Sequence, residues 1–364
     1  MAQQNDALNA FLTASSEAAR AGKPVRVFIG NEASDLDSMA SAILLAWSKG
    51  TASDGLPNVP VMNIPREDFN LRTEALWLFQ ETGIDIKSLV FLDDVDLGAL
   101  LGHLTSRLVL VDHNRLSAAQ GAWASKVEEI LDHHADEGLY PSARKNIAPV
   151  GSASTLVSEM MIASGMPLPS DVATLALGTI LLDTVNLDPE AKRVTERDEL
   201  VAKILLPLSG AKQKILFDRL QLEKFNVASL SSRDILRKDY KEYKMGKLMV
   251  GMSSALLPLA DWFKKDTKLE DAYAAYAASR GLDVLIVMAA YTAPEFTREM
   301  AVYATDASLR GKLIDFMNLS GLGLKALQAT SAAPSKTTEY FSQADLSQSR
   351  KKLQPLLSSF VEKL

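Results

Sequence analysis

The sequence predicts an α/β chain: an N-terminal domain on a parallel sheet with helices on both faces, then a smaller C-terminal α+β domain with a mixed sheet. Three observations predict it. The first half alternates short apolar runs with helix-like stretches, as strands buried on both faces and joined by crossover helices do. The pattern changes after Pro207-Leu208-Ser209-Gly210, beyond which the strand-like runs lengthen. Finally, 364 residues at 47% hydrophobic content supply cores for about two domains. The expected division is 1–206 for the first domain, 207–214 for a linker and 215–364 for the second.

The elements follow in order. Asn5–Ala19 has the pattern of an amphipathic helix laid on the first domain. Val25–Ile29 is a short apolar strand, followed by polar residues and a helix over Asp37–Trp47. Leu89–Leu92, Leu108–Val111 and Val127–Leu131 are further strands, each followed by an acid: Asp93, Asp112 and Asp132. Leu71–Thr82 and Ser154–Ser164 are helical, and a long apolar helix ends at Leu181-Leu182-Asp183-Thr184. In the second domain, Lys247–Ser253, Asp283–Tyr291 and Thr297–Tyr303 are strands. One long helix is expected over Leu257–Ser279 and another over Gln348–Val361. In open parallel sheets the binding crevice lies beyond the carboxyl ends of the strands, so acids at several strand ends meet on one rim.

Composition narrows the function. No apolar run approaches the roughly 18–20 residues that cross a bilayer, and the N-terminus lacks the basic-then-apolar order of a secretory signal; the chain reads as cytoplasmic, with no membrane partner. There is no cysteine, which excludes thiolate metal sites and a cysteine nucleophile. A net charge of −6 argues against nucleic-acid binding but not against an anionic substrate, because the field in a cleft is set locally.

Four segments carry the chemistry. Gly30-Asn31-Glu32-Ala33-Ser34-Asp35-Leu36-Asp37-Ser38 follows the first strand, and Asp35 and Asp37 leave the turn together. Val111-Asp112-His113-Asn114 and Leu131-Asp132-His133-His134 follow two more strands, and Asp183 ends the apolar helix. A lone Asp-x-Asp is ordinarily a helix cap or turn, and a lone histidine is ordinarily structural. Four acidic motifs at strand and helix ends are a different matter: carboxylates with imidazole suit Mg²⁺ or Mn²⁺, and two such ions can activate water for phosphoryl transfer.

In number and order the four segments resemble the motifs of the DHH phosphoesterase superfamily, whose signature is here Asp132-His133-His134. Asn-Glu-Ala-Ser-Asp-Leu-Asp-Ser is similar to the first motif of its exopolyphosphatase and prune branch, with family II inorganic pyrophosphatases as neighbours. In the second half, Leu236-Arg237-Lys238-Asp239-Tyr240-Lys241-Glu242-Tyr243 and Ser349-Arg350-Lys351-Lys352 resemble the opening and closing motifs of the DHHA2 substrate domain. The resemblance covers nearly the whole chain. It implies a metal-binding catalytic domain followed by a substrate domain, and two divalent ions. Asn31, Asp35 and Asp112 would hold one ion; Asp37, Asp112, His133 and Asp183 would hold the other, with Asp112 bridging. His134 would contact the phosphoryl group, His113 would support the bridge or touch substrate, and Lys241, Arg350 and Lys351 would grip the anion. Glu32 and Ser38 would be structural.

Family II pyrophosphatases typically carry His at the position of Asn31. The amide is a harder, weaker ligand, so the expected preference is Mg²⁺ over Mn²⁺ or Co²⁺. The leading expectation is an exopolyphosphatase acting on inorganic polyphosphate. The alternatives are an inorganic pyrophosphatase and a prune-like interaction protein with minor catalysis, for which an extended tail beyond the Ser-Arg-Lys helix is expected. Lys264, Lys265 and Lys268 are candidates for lining a long-chain cleft, or for a solvated helix face.

Overall fold

A computed structural model of the chain describes residues 6–50, 54–292, 295–327 and 335–362. These form two compact units, dividing between Asn226 and Val227. The first contains strands β1 (Arg26–Ile29), β2 (Asn58–Met62), β3 (Val90–Phe91), β4 (Arg107–Val111), β5 (Val127–Asp132) and β6 (Arg144–Ile147). Its helices are α1 (Asp6–Arg20), α2 (Leu36–Ser48), α3 (Thr73–Glu81), α4 (Leu97–Gly102), α5 (Ala153–Ala163), α6 (Ser170–Asp183), α7 (Glu196–Ser209) and α8 (Gln213–Phe225). Asn5, which the sequence reading placed at the start of α1, lies outside the described residues.

The strand order is β3-β2-β1-β4-β5-β6, and every pairing is parallel. Alternation along the strands divides two cores. Phe28, Val109, Val111 and Leu131 face α2, α5 and α6, while Val27, Ile29, Leu108, Leu110 and Ile130 face the other layer with Leu100 and Leu101 of α4. The order reverses between β1 and β4. That switch point opens a crevice beyond the carboxyl ends of the two strands, and it sets Asn31 and Asp112 side by side.

The second unit holds a mixed sheet, β11-β12-β10-β9-β8-β7, built from β7 (Tyr240–Met245), β8 (Leu248–Ala255), β9 (Val284–Thr292), β10 (Phe296–Tyr303), β11 (Leu324–Ala326) and β12 (Thr338–Gln343). β8 and β9 run parallel and the other neighbours antiparallel. Helices α9 (Ser232–Lys238), α10 (Leu259–Lys265) and α11 (Leu269–Arg280) cover Leu285, Val287 and Ala289. Helices α12 (Ala307–Leu319) and α13 (Arg350–Val361) cover Val284, Ile286 and Met288 on the opposite face.

Two local differences from the sequence reading have clear causes. The single helix expected over Leu257–Ser279 is two, α10 and α11. Asp266 takes an extended backbone between them, and its carboxylate accepts hydrogen bonds from Ser232 Oγ (2.5 Å) and Lys268 N (2.9 Å). A short acid that can bond locally competes with helix propagation. The expected linker at 207–214 is the end of α7, closed by Gly210 at φ +66°, and the start of α8. Helix α8 packs on α3 and α6 of the first unit, although the sequence reading began the second domain at residue 215.

Candidate metal centre

The turn after β1 is shaped by Gly30, where a Cβ would meet Ser38 Cβ at 2.6 Å. This close approach sets the N-terminus of α2 against the strand end. Asp35 caps α2, accepting from Ser38 N at 3.1 Å. Two residues on, in the first turn, Asp37 is buried and collects Ser41 Oγ (3.0 Å), Ser152 Oγ (2.8 Å), Ala153 N (2.6 Å) and Ser154 N (3.0 Å). The N-terminus of α5 thus holds this carboxylate rigidly.

Asp112 leaves β4 in the left-handed region, φ +61°, with its N–H donated to Leu131 O at 2.8 Å. Its Oδ2 accepts Ser38 Oγ (2.5 Å) and Asn31 Nδ2 (2.8 Å). Its Oδ1 is buried and accepts no hydrogen bond. His133, after β5, bonds through Nδ1 to Val150 O at 2.9 Å. A carbonyl only accepts, so Nδ1 carries the hydrogen and Nε2 turns to the carboxylates. Nε2 stands 3.2 Å from Asp112 Oδ1 and 3.8 Å from Asp37 Oδ2. Lone pairs facing one another at that distance require a proton or a cation between them.

The electrostatics say the same. Burial, then the charges of Asp37 and Asp35, push the Asp112 carboxyl up to about 7. Burial and the same neighbours raise Asp183 well above the usual carboxylate range, and Asp183 also shares a hydrogen bond with Asp37. Burial works to lower His133, but the close approach of Asp112 and the charge of Asp37 outweigh that and raise it to about 10. A divalent ion would relieve this crowding, and the oxygen-rich set with one imidazole fits Mg²⁺ or Mn²⁺.

Asn31, Asp35, Asp37, Asp112, His133, His134 and Asp183 line one cavity of about 500 Å³, with Pro149–Gly151 and Lys192–Thr195 completing its wall. One ligand atom from each of Asp112, His133 and His134 lies within 4.8 Å of the others. His134 is exposed, with Nδ1 bonded to Asp132 at 2.8 Å, which leaves Nε2 available. Asp132 is fully buried and also accepts Asn114 Nδ2 and the N–H groups of His133 and His134. Burial opposes its ionisation, yet these bonds hold it below the usual carboxylate range.

Several sequence expectations land elsewhere. Asn31 offers its nitrogen, not its oxygen, to Asp112, because its Oδ1 is taken by Ala33 N (2.8 Å) and Ser34 N (3.3 Å). His113 does not line the cavity; its Nδ1 bonds Val111 O at 2.9 Å, and burial lowers its basicity. Asp93 accepts from Arg66 N instead of joining the rim. Ser38, read as structural, holds the bridging candidate directly. The sequence reading also passed over Lys192, Arg193 and Asp198. The Thr195-x-x-Asp198 spacing of an N-terminal helix cap was the one signal for that wall.

In the second unit, Arg350 is mostly buried and pairs with Asp239 at 2.5 Å. Lys241 lies exposed on β7 and Lys351 exposed in the first turn of α13. Of the three lysines proposed for a cleft, Lys264 pairs with Asp261 and Lys265 bonds Ala228 O, while Lys268 is exposed.

A parallel sheet with acids and an imidazole converging at its switch point is the arrangement of a candidate divalent-cation site. Residues 26–180 match the family described as "DHH family, N-terminal domain", and residues 218–360 match "DHHA2 domain". The chain is 35% identical to the exopolyphosphatase PRUNE1 of Rattus norvegicus over 349 residues, covering 92% of this chain and 75% of that protein. It is 29% identical over 166 residues to a "Probable manganese-dependent inorganic pyrophosphatase" of Thermotoga maritima, covering 43% and 29% of the two chains. A solved exopolyphosphatase-related protein from Bacteroides fragilis aligns at TM-score 0.44 and 13% identity, covering 100% of this chain and 98% of that one. The chain belongs to the DHH phosphoesterase family, in its exopolyphosphatase/prune branch with a DHHA2 domain.

Proposed function

We propose that this member of a family of metal-dependent phosphoanhydride hydrolases is an exopolyphosphatase, releasing terminal orthophosphate from inorganic polyphosphate. The observation that carries the reading is the meeting of Asp112 Oδ1 and His133 Nε2 at 3.2 Å, in a cavity also lined by Asp35, Asp37 and Asp183. These five residues would hold two divalent ions, with Asp112 shared. The donors are mostly hard oxygens and Asn31 replaces an imidazole, so Mg²⁺ is the expected preference over Mn²⁺ or Co²⁺. Bound ions supply Lewis-acid polarisation and a water of lowered pKa.

The chain's own groups do the rest. Asp132 accepts from His134 Nδ1 and raises the pKa of the ring, so the protonated ring can donate from Nε2 to a phosphoryl oxygen where charge develops. Lys241, Arg350 and Lys351 would supply cations to the phosphate chain by charge-assisted hydrogen bonds. The test is phosphate release by the purified full chain from pyrophosphate, tripolyphosphate and longer chains, with Mg²⁺, Mn²⁺ and Co²⁺ in parallel. Faster turnover of tripolyphosphate and longer chains supports the reading. A rate confined to pyrophosphate replaces it with a pyrophosphatase, and no release from any substrate overturns it.

A further inference from the structure

The cavity that gathers the acids has a cationic side within the same unit. Lys192 and Arg193 line it, both exposed and neither in an ion pair among the described residues. They stand on a loop between α6 and α7 that is not free to wander. Its hub is Asp198, fully buried, which accepts Gly151 N on both oxygens (3.0 and 2.9 Å), Thr155 Oγ1 (2.6 Å), Thr195 N (2.8 Å) and Thr195 Oγ1 (2.6 Å). Gly151 has no side chain for a reason: a Cβ there would lie 2.6 Å from the Arg193 carbonyl. The loop is therefore locked to the segment that carries Val150, whose carbonyl orients His133.

The backbone at Lys192 is left-handed, φ +55° and ψ +35°. A lysine there costs on the order of 1 kcal/mol relative to glycine. A strained cation beside an unpaired second cation, both on a loop anchored by a buried hub at the wall of an acid-lined cavity, is poorly explained by solvation alone. We infer that Lys192 and Arg193 form an anion subsite belonging to the first unit itself, which binds the phosphoryl group leaving as orthophosphate, independently of the cations of the second unit. The substrate identity rests on the function proposed above; the subsite does not.

The geometry gives the subsite a distinct role. Carboxylates that hold cations repel phosphate once any ion is lost, so nearby positive charge keeps the anion in the cavity. As anion-binding residues, Lys192 and Arg193 should act on binding more than on turnover.

The experiment uses the full chain with Mn²⁺ and orthophosphate as probe. Paramagnetic broadening of the ³¹P resonance reports phosphate near the metal, and calorimetry gives its Kd. Lys192→Gly removes the charge while relieving the backbone strain, so it should fold at least as well as the parent; Arg193→Gln removes the second charge. The double variant should raise the orthophosphate Kd, and KM for tripolyphosphate, by about tenfold or more. Mn²⁺ affinity and kcat should change by less than about threefold. Lys192→Arg with Arg193→Lys should restore binding. Unchanged orthophosphate affinity in the double variant overturns the subsite, whatever the activity. Inactivity of the parent on every phosphoanhydride overturns the function instead, and orthophosphate binding that still depends on Lys192 and Arg193 then leaves the subsite standing.

Discussion

Asp112 shows how much one residue decides. Its φ of +61° is one that aspartate tolerates better than most side chains, and it turns the carboxylate from the end of β4 into the cavity. There Ser38 and Asn31 saturate one oxygen and leave the other bare. Asp112→Asn keeps size and left-handed tolerance, and its amide oxygen can still accept from Ser38. The expected result is a metal-free fold within about 1 kcal/mol of the parent, Mn²⁺ affinity down by about a hundredfold or more, and turnover lost. Thermal melts in chelator, Mn²⁺ calorimetry and phosphate release check the three parts. Retained metal affinity would remove Asp112 from the centre of the site.

At the scale of elements, one ion pair ties β3 to the turn that follows β2. Arg66 donates from Nε and Nη2 to Asp94 (3.0 and 2.5 Å) and from Nη2 to Leu89 O (2.7 Å), and its guanidinium lies 4.5 Å from the Phe91 ring centre. Burial would raise the Asp94 carboxyl, but Arg66 and the Phe91 N–H more than offset it and hold it below its ordinary value. A depressed carboxylate stabilises the fold above the unfolded pKa of about 3.9 and loses that contribution as pH falls through the lower folded value. Arg66→Gln should therefore cost roughly 1 kcal/mol at neutral pH, discounted for the partial exposure of Arg66, with a smaller gap near pH 3. Urea midpoints of parent and variant at the two pH values measure it, and a gap that widens on acidification contradicts the sign.

The elements also show what the sequence could tell. β1, β4 and β5 were legible because strands buried on both faces read as continuous apolar runs, and the acids after β4 and β5 marked their carboxyl ends. β2 is not legible because Asn58 and Pro60 interrupt its run; Pro60 is tolerated although β2 lies between β3 and β1. β7 shows in the sequence only as a basic motif, since one face of Tyr240–Met245 is charged and exposed. In the site, the acids stood out by type and position. The loop of Lys192–Thr195 did not, because its placement depends on a tertiary knot of Asp198 with Gly151 and Thr155 that lies 47 and 43 positions away in the chain.

At the scale of the whole molecule, the candidate ligands Asp35, Asp37, Asp112, His133 and Asp183 all belong to the unit ending at Asn226, and Lys241, Arg350 and Lys351 all to the unit beginning at Val227. If the cations of the second unit serve the substrate, metal binding and substrate binding are separable by mutation. Lys351 is the cleanest probe, being exposed in the first turn of α13, whereas Arg350 also ties Asp239 and the carbonyl of Met252 together. Removing one charge-assisted hydrogen bond costs about 1.5–3 kcal/mol, which is roughly a ten- to hundredfold rise in KM. Lys351→Ala should show that rise for tripolyphosphate with Mn²⁺ affinity essentially as in the parent, while Asp112→Asn loses Mn²⁺ affinity and turnover together. Steady-state kinetics and Mn²⁺ calorimetry on the same preparations decide it. A fall in Mn²⁺ affinity in Lys351→Ala matching its rise in KM would mean that the two units do not divide the work, and that metal and anion are held by one continuous set of groups.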